Sequence, residues 1–350
     1  MEPPLTPQFR DLWLKKGALL APMAGFTDGA MRRICHQAGA ALTYTEMVNA
    51  IGLVRGSSKT WHLLTTLPGE GGVVAHLYGA HPTEMADAAV AVWQSGRFVA
   101  LDINAGCPMK KITANGCGAA LMKQPEKIGA MVAAMRAATP LPVTVKTRIG
   151  LVPDTILSFE ILRAVEEAGA AAITVHGRFA AKFHSGPVAF ETLAAIKAAA
   201  RIPVIGNGGI NSSAAADVML RETGVDGVMV GQGAMGNPWL FSEIAAMMSG
   251  GAAEEAGEME RRTVGEICAM FERHVAASLE LQELINAAAA EPEQRRDPES
   301  VVATGFRCHL FRYFAGVPGA AKLRGEMSTL RSIEAMRAAI ARHLKPTNVN

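Results

Sequence analysis

Cys107 is the residue of this sequence whose setting points most directly to chemistry. It lies between a glycine and a proline in the stretch Asn104-Ala-Gly-Cys107-Pro, directly after an apolar run. A thiol with an ordinary pKa of about 8.5 stays mostly protonated at neutral pH, so it can donate a proton in a reductive step. A buried structural cysteine is the alternative, and the loop setting favours the proton donor.

The other four cysteines carry less information. Three lie in apolar helical stretches and are interpreted as structural: Cys35, Cys268 and Cys308. Cys117, which follows Asn115-Gly, fits either role. Because the five cysteines are an odd number without Cys-x-x-Cys spacing, we expect no disulfide framework and no metal site of the zinc or iron–sulfur kind.

Polar and glycine-rich residues also follow the other apolar runs between residues 17 and 245. Each group comes where a run of β-branched and apolar residues ends and before an Ala-rich segment with helical spacing. If the runs are strands of a closed barrel, these groups share the rim where such enzymes build their sites. The groups are Pro22-Met23-Ala24, His76, Lys146 with Arg148, His176 with Arg178, Asn207-Gly208-Gly209 and Gly231-Gln232.

Two of these groups have the composition of a phosphate site. The turns Asn207-Gly208-Gly209 and Gly231-Gln232 would let backbone N–H groups converge on an anion, helped by the start of the following helix. Glycines that serve only to make tight turns are the alternative for each turn taken alone. The presence of both turns together favours a phosphate-binding site.

Lys146 and His176 are candidates to contact a flavin. Lys146 would project from the end of a buried strand, where an ammonium group needs a partner. The electron-rich N1–C2=O edge of a flavin would supply that partner, and a carboxylate inside the barrel is the alternative. His176 is either a donor to a flavin or its phosphate, or a histidine satisfied within the core.

The elements that position these residues form a repeating pattern. Eight strand–helix units predict an α/β fold, a (β/α)₈ TIM barrel, and their near-continuously apolar strands are typical of strands buried on both faces. A doubly wound open sheet is the alternative, but the first turn lacks its Gly-x-Gly-x-x-Gly signature. The predicted strands are 18–21, 42–46, 73–78, 99–103, 143–146, 172–176, 204–206 and 227–230. The predicted helices lie near 28–38, 83–95, 125–138, 154–168, 189–200, 212–223 and 238–248.

The last hundred residues read as a second domain. A Gly- and Glu-rich linker at 251–260 precedes apolar positions at helical spacing. We therefore predict a catalytic barrel over residues 1–250 and a C-terminal all-helical domain over 251–350. Residues 251–300 carry 12 acidic and 5 basic side chains, whereas residues 301–350 carry 2 acidic and 8 basic ones. A basic end fits a polyanionic partner, with an ordinary solvated helical surface as the alternative.

Two further properties of the sequence limit the class of protein. The sequence shows no signal peptide and no apolar run of 18 or more residues. We expect a cytoplasmic monomer that does not associate with membranes.

The chain resembles the tRNA-dihydrouridine synthase family, and its bacterial B-type branch in particular. The matching stretches occur in family order across roughly residues 20–245, and weaker similarity continues around His309, Tyr313 and Arg324. They are Leu20-Ala-Pro-Met-Ala-Gly, Asp102-Ile-Asn-Ala-Gly-Cys-Pro-Met-Lys-Lys, Val143-Thr-Val-Lys-Thr-Arg, Thr174-Val-His-Gly-Arg, Pro203-Val-Ile-Gly-Asn-Gly and Gly236-Asn-Pro-Trp-Leu-Phe.

The resemblance implies an FMN-bearing barrel joined to a helical domain that helps to hold tRNA. It implies that NADPH or NADH reduces FMN, that hydride reaches C6 of uracil, and that Cys107 protonates C5. It implies that Pro22, Met23 and Ala24 line the isoalloxazine, that Lys146 and His176 contact the flavin, and that the turns at 207–209 and 231–232 hold its phosphate. The residues expected to face the target nucleotide are Asn104, Arg148 and Arg178.

Three positions depart from the family pattern. This chain has His76 where the family usually has Gln against the flavin, and Gly209 where it usually has Asp. Gln232 replaces an arginine that usually binds phosphate, which removes a bidentate charge-assisted contact. We expect weaker FMN binding unless His176 or another basic residue substitutes.

Two other functions stay open at the level of sequence. One is a flavin barrel that reduces a small molecule, although its iron–sulfur versions need clustered cysteines. The other is a tRNA-binding protein that has lost redox activity, which the altered flavin positions make conceivable.

Overall fold

The computed structural model describes residues 10–11, 13–14, 17–251, 262–289, 291–327 and 329–344. Nine parallel strands lie in one sheet. They are β1 (Leu19–Leu20), β2 (Leu42–Tyr44), β3 (Val48–Asn49), β4 (Val73–Tyr78), β5 (Ala100–Ala105), β6 (Val143–Arg148), β7 (Ala172–His176), β8 (Val204–Asn207) and β9 (Gly227–Val230).

The sheet closes into an eight-membered barrel. β1 pairs with both β2 and β9, and β2 also pairs with β4, which completes the ring. β3 is a two-residue addition that pairs with the far end of β4. Most strand residues are buried, because side chains on one face fill the barrel and those on the other lie under the helices. The predicted TIM barrel is therefore confirmed.

Helices surround the barrel as the pattern predicts. They are α1 (Gly29–Gln37), α2 (Ala50–Val54), α3 (Ser58–His62), α4 (Pro82–Gln94), α5 (Lys110–Thr113), α6 (Pro125–Ala138), α7 (Ser158–Glu167), α8 (Phe190–Ala199), α9 (Ser213–Thr223) and α10 (Leu240–Met248).

Two local features differ from the expectation. The short helices α2 and α3 follow β3, in a stretch where the sequence predicted none. α7 begins four residues later than predicted, because Asp154 adopts a positive φ of 67° and Gly150 forms an isolated bridge with Ile156.

The C-terminal helices form a second packed unit, as expected. They are α11 (Val264–Ala287), α12 (Pro298–Gly305), α13 (Arg307–Tyr313), α14 (Ala320–Met327) and α15 (Ile333–His343). α11 begins with a capping box, in which Thr263 and Glu266 exchange hydrogen bonds. It packs against α1, where Arg33 and Glu280 form an ion pair at 2.7 Å. Most of the expected linker, residues 252–260, lies outside the described residues, so the domain boundary stays a prediction.

Candidate active site

The strand register brings the polar residues of the rim together. Asn104 of β5 lies opposite Lys146 of β6. Arg148 of β6 lies opposite His176 of β7, which in turn lies opposite Asn207 of β8. These five side chains therefore occupy adjacent positions at the carboxyl ends of four neighbouring strands.

The loop that carries Cys107 is held by hydrogen bonds on both sides. The Asn104 side-chain oxygen accepts from the N–H of Gly106 at 3.2 Å and of Cys107 at 3.0 Å. The Cys107 carbonyl accepts from the N–H of Ala119 at 2.9 Å. Gly118 has φ +58°, and a Cβ there would lie 2.7 Å from the Cys107 carbonyl oxygen, so this close approach requires glycine. The half-buried thiol thus sits on a fixed loop.

Arg148 holds the same loop from the other side. Its Nε donates to the Gly106 carbonyl at 3.0 Å, and its Nη1 donates to the carbonyls of Phe183 at 2.7 Å and Phe179 at 3.4 Å. Burial lowers the pKa of Arg148 to about 10, while the nearby Cys107 opposes that shift. Arg148 therefore connects the loops that follow β5 and β7 and carries a positive charge beside the thiol.

Lys146 is a second cation next to Cys107. Its Nζ donates to the Asn207 side-chain oxygen at 2.8 Å, and the Asn207 amide nitrogen donates to the Met229 carbonyl at 2.7 Å. Burial, followed by repulsion from Arg148, lowers the pKa of Lys146 to about 8. Within the described residues Lys146 forms no ion pair, which contradicts the sequence-based alternative of a lysine paired with a carboxylate inside the barrel.

His76 belongs to a buried chain of polar groups. Its Nδ1 lies 2.5 Å from Asp102 Oδ2, and Asp102 Oδ1 accepts from the Thr144 hydroxyl at 2.6 Å. The contact with Asp102 favours the tautomer that carries a proton on Nδ1 and leaves Nε2 for another partner. Asp102 and Thr144 were not predicted, because only the strand register pairs them with His76.

His176 has an unused hydrogen-bonding atom inside the protein. Its Nδ1 is buried and has no hydrogen-bond partner in the part of the chain that the structure describes. Burial, reinforced by the positive charges of Lys146 and Arg148, lowers the pKa of His176. A buried polar atom without a partner is costly, so this neutral imidazole is suited to a ligand at the rim.

The two glycine-rich turns after β8 and β9 pack directly on each other. A Cβ on Gly233 would lie 2.2 Å from the Ile210 carbonyl oxygen, so the turns can meet only at glycine. The N–H groups of Gly208, Gly209, Gly231 and Gln232 make no hydrogen bond within the described residues. Several free N–H groups in adjoining turns are suited to hold an anion, and we call these two turns the cradle.

Two side chains, His176 and Arg178, lie beside the cradle. Gln232 is exposed and offers no charge. The His176 ring lies against Gly208, and Arg178 Nη2 is 3.8 Å from the point where a Gly209 Cβ would be. Arg178 also donates through Nε to the Gly186 carbonyl at 2.8 Å. An aspartate at position 209 would meet this guanidinium, whereas glycine leaves it available to an anion.

The segment Pro22-Met23-Ala24 lies at the end of β1, next to the second turn. A Cβ on Gly231 would be 3.8 Å from the Met23 sulfur. The Met23 N–H is bound to the Thr27 hydroxyl at 2.9 Å. Pro22 and Met23 are partly buried and Ala24 is exposed, so the segment presents an apolar surface at the mouth.

Within the described residues, no group of three or more His, Cys, Asp or Glu side chains is arranged to hold a metal ion. No described helix combines the length and apolar character needed to cross a bilayer.

The family to which such a site belongs is given by sequence comparison. The model of the dihydrouridine synthase family matches residues 19–345. A tRNA-dihydrouridine synthase B from Shewanella oneidensis is 39% identical over 231 residues, which cover 66% of this chain and 71% of that protein. The corresponding Escherichia coli K12 protein is 36% identical over 231 residues, covering 66% and 72%. A probable tRNA-dihydrouridine synthase from Mycobacterium leprae is 33% identical over 346 residues, covering 90% and 85%.

Two solved structures are similar to part of this chain. Morphinone reductase in complex with tetrahydroNAD has a TM-score of 0.47 and 13% identity, covering 68% of this chain and 88% of its own. The structure of TcOYE with pHBA has a TM-score of 0.49 and 11% identity, covering 68% and 90%. The assignment of the barrel rests on the strand pairing of this chain.

Proposed function

Because the chain belongs to the dihydrouridine synthase family, we propose that it reduces uridine in tRNA to dihydrouridine, using FMN and either NADPH or NADH. The observation that carries the proposal is the fixed Cys107 loop, which Asn104 and Arg148 hold at the mouth of the barrel. The reaction adds a hydride at C6 and a proton at C5 of uracil, and the flavin, when bound, supplies the hydride.

The rim has the chemistry that a flavin mononucleotide needs. The unpaired N–H groups of the two glycine turns fit its phosphate, and the buried, partnerless Nδ1 of His176 fits a polar group of the cofactor. Lys146 offers an ammonium to an electron-rich ring edge. The residues that we propose to hold the flavin are Pro22, Met23, Ala24, His76, Lys146, His176, Asn207, Gly208, Gly209, Gly231 and Gln232.

Cys107 acts as the general acid. Its thiol gives a proton to C5 of uracil and becomes a thiolate, which the adjacent cations Lys146 and Arg148 stabilise. The thiol is only half buried, so solvent can return the proton after product leaves. This role needs no base beside Cys107, because a general acid donates its proton to the substrate, whereas an activated nucleophile loses it to a base.

Asn104, Arg148 and Arg178 are the proposed contacts to the target nucleotide. Asn104 and Arg148 already form hydrogen bonds with the Cys107 loop. We therefore propose that they position the acid as well as the nucleotide. The target base must leave its stack to enter the barrel mouth, which the loops of tRNA make easier. The barrel, residues 1–250, would carry the chemistry, and residues 251–350 would help to hold tRNA.

Replacing the proton donor gives a direct test. We expect Cys107→Ala to keep its flavin and to oxidise NADPH, but to form dihydrouridine at least about 100-fold more slowly, because general acids contribute roughly 10²–10⁴-fold. The measurement is dihydrouridine in unmodified tRNA under single-turnover conditions, with half-buried Cys308→Ala as the control. Full dihydrouridine formation by Cys107→Ala would remove the assigned role.

The purified protein itself tests the cofactor. We expect a yellow protein with a flavin spectrum, and free uridine or small enoates should be far poorer substrates than tRNA. A colourless protein that takes up no added FMN would contradict the flavoenzyme.

A further inference from the structure

A pocket beside the Cys107 loop is not used by the proposed reaction. It has a volume of about 400 Å³, within the rough range of 300–1,000 Å³ typical of small-ligand sites. Its walls come from the loops that follow β5, β6 and β7, and they are mostly apolar. The lining residues are Pro108, Thr113, Ala119, Ala120, Lys123, Leu151, Ala180, Ala181 and Phe183. We call it the rim pocket.

The walls of the rim pocket are fixed relative to the proton donor. Pro108 directly follows Cys107, and the Ala119 N–H donates to the Cys107 carbonyl at 2.9 Å. On the opposite wall, Arg148 binds the Gly106 and Phe183 carbonyls at 3.0 and 2.7 Å. One buried guanidinium therefore sets the position of the acid and of the pocket wall together.

Phe183 is the aromatic group of this pocket, and its setting is unusual. The side chain is 46% exposed, although solvent exposure of so large an apolar surface is unfavourable. Its φ of +50° lies in the region that favours glycine, so the backbone is strained there. The bonds from Arg148 and to the Ala180 carbonyl hold this conformation. Strain that the fold maintains at a ligand-sized pocket points to a role for the exposed ring.

The charge around the rim pocket is positive. The loop 106–124 contains Lys110, Lys111 and Lys123 and no acidic residue, and the loop 177–189 contains Arg178 and Lys182 and no acidic residue. All three lysines of the first loop are exposed, as is Lys182. The loop 149–157 contributes the single acid Asp154. An exposed aromatic ring among cations is the combination that binds single-stranded nucleic acid.

We propose that the rim pocket binds the base of a nucleotide adjacent to the target uridine, stacked on Phe183, with a neighbouring phosphate on Lys123 or Lys182. This inference rests on the proposed function, since it requires an RNA substrate whose target base enters the barrel beside Cys107. The flanking base, held in a pocket whose wall includes Pro108 next to Cys107, would fix how far the target uridine reaches into the mouth. The cationic loops favour RNA over an apolar peptide, which would leave the lysines without partners.

Substitutions of Phe183 test the proposal on the intact flavin-loaded protein. We expect Phe183→Ala to weaken binding of an unmodified tRNA transcript about five- to 150-fold, the ratio that corresponds to base–aromatic stacking of roughly 1–3 kcal/mol. Phe183→Trp should bind like the wild type, whereas Phe183→Leu, which keeps apolar bulk without an aromatic face, should resemble Phe183→Ala. Trp93→Ala, which removes a ring of similar exposure (44%) from the outer helix α4, is the matched control.

A second measurement locates the base. Once the modified uridine is mapped, transcripts with an abasic neighbour on its 5′ or 3′ side are compared. For one of these two transcripts, wild type and Phe183→Ala should bind with equal affinity, because that transcript lacks the base that would stack on Phe183. A Phe183→Leu variant that binds tRNA like the wild type would overturn the proposal. So would a Phe183→Ala effect on the KM for NADPH without an effect on tRNA, which would assign the pocket to the adenine of the reductant.

The outcomes separate the two proposals. Flavin content and the rate of NADPH oxidation without RNA should be the same in all Phe183 variants. If the wild type forms no dihydrouridine, the proposed function fails. If the wild type forms it and Phe183→Ala matches Trp93→Ala in tRNA binding, only the assignment of the rim pocket fails.

Discussion

The ammonium group of Lys146 lies in the barrel mouth, where the part of the chain that the structure describes gives it one hydrogen bond, to the side-chain oxygen of Asn207. Burial and the neighbouring Arg148 disfavour the charged form, which lowers the pKa of Lys146 to about 8. Because burial destabilises the charged form of this side chain, an anionic partner would stabilise it. The N–H groups of the nearby glycine turns likewise lack hydrogen-bond partners among the described residues, so they too would be stabilised by an anion.

This cost can be measured as a dependence of stability on pH. In the unfolded chain Lys146 keeps its proton up to about pH 10.4, whereas the folded protein loses it near pH 8. The unfolded state therefore binds more protons between these values, and the ammonium penalty disappears as the pH rises through that window. We expect flavin-free Lys146→Met to be more stable than wild type at pH 7, by about 3 kcal/mol.

Urea unfolding at several pH values checks this prediction. The stability difference between Lys146→Met and flavin-free wild type should shrink from pH 8 to about pH 10.4. Lys123→Met, at an exposed position of the rim, is the control and should show no such trend. A difference that stays constant with pH would mean that the ammonium is not penalised in the mouth.

At the scale of elements, the joint between the barrel and the C-terminal helices contains two buried histidines. His274 of α11 and His309 of α13 stack edge to face at 4.5 Å, and Phe26 of the barrel packs on His309 at 5.3 Å. His274 Nδ1 contacts the Tyr313 hydroxyl at 2.9 Å, while His274 Nε2 and His309 Nδ1 have no partner among the described residues. Burial lowers the pKa of both histidines, and Asp28 partly opposes this for His309.

Neutral buried histidines make this joint sensitive to acid. The unfolded chain takes up protons on both imidazoles below about pH 6.5, but the folded protein does not, so stability falls as the pH drops through that value. We expect His309→Phe to reduce the loss of unfolding free energy between pH 6 and 5 by up to about 1.4 kcal/mol.

Denaturant titrations at these two pH values measure the effect. The exposed His81→Gln serves as the control, because it removes an imidazole that the joint does not bury. If His309→Phe and wild type lose the same unfolding free energy on acidification, the joint is not the source of the acid sensitivity.

At the scale of the whole molecule, the C-terminal helices and the rim pocket lie on opposite sides of the barrel mouth. The helical domain packs on α1, which follows β1, whereas the rim pocket is formed by loops around β6, on the far side of the ring. Residues 301–350 carry 8 basic and 2 acidic side chains. A tRNA loop held from both sides would have its target base over the opening between them.

Charge reversal on the helical side tests this arrangement. Arg324 is exposed on α14, and we expect Arg324→Glu to weaken tRNA binding and to lower the slope of log Kd against log salt by about one. Arg163→Glu, an equally exposed change on the outer helix α7, should leave the slope unchanged. An unchanged slope for Arg324→Glu would make the basic end an ordinary solvated surface.

The sequence by itself determined the barrel, the helical C-terminal part and the candidate residues at the strand ends. These features follow from local patterns: apolar runs of strand length, helical spacing, and polar residues where each run ends. Cys107 belongs to this group, because its Gly-Cys-Pro setting is contained within five consecutive residues.

Only the tertiary structure decided which atoms of these residues are already engaged. Asn104 and Arg148 were expected to face a nucleotide, and the structure shows that both hold the Cys107 loop. The pairing of His76 with Asp102, and the approach of Phe183 to the same site, join loops and strands that lie far apart in sequence. Such contacts depend on strand register and loop closure, which local patterns of residue type do not encode.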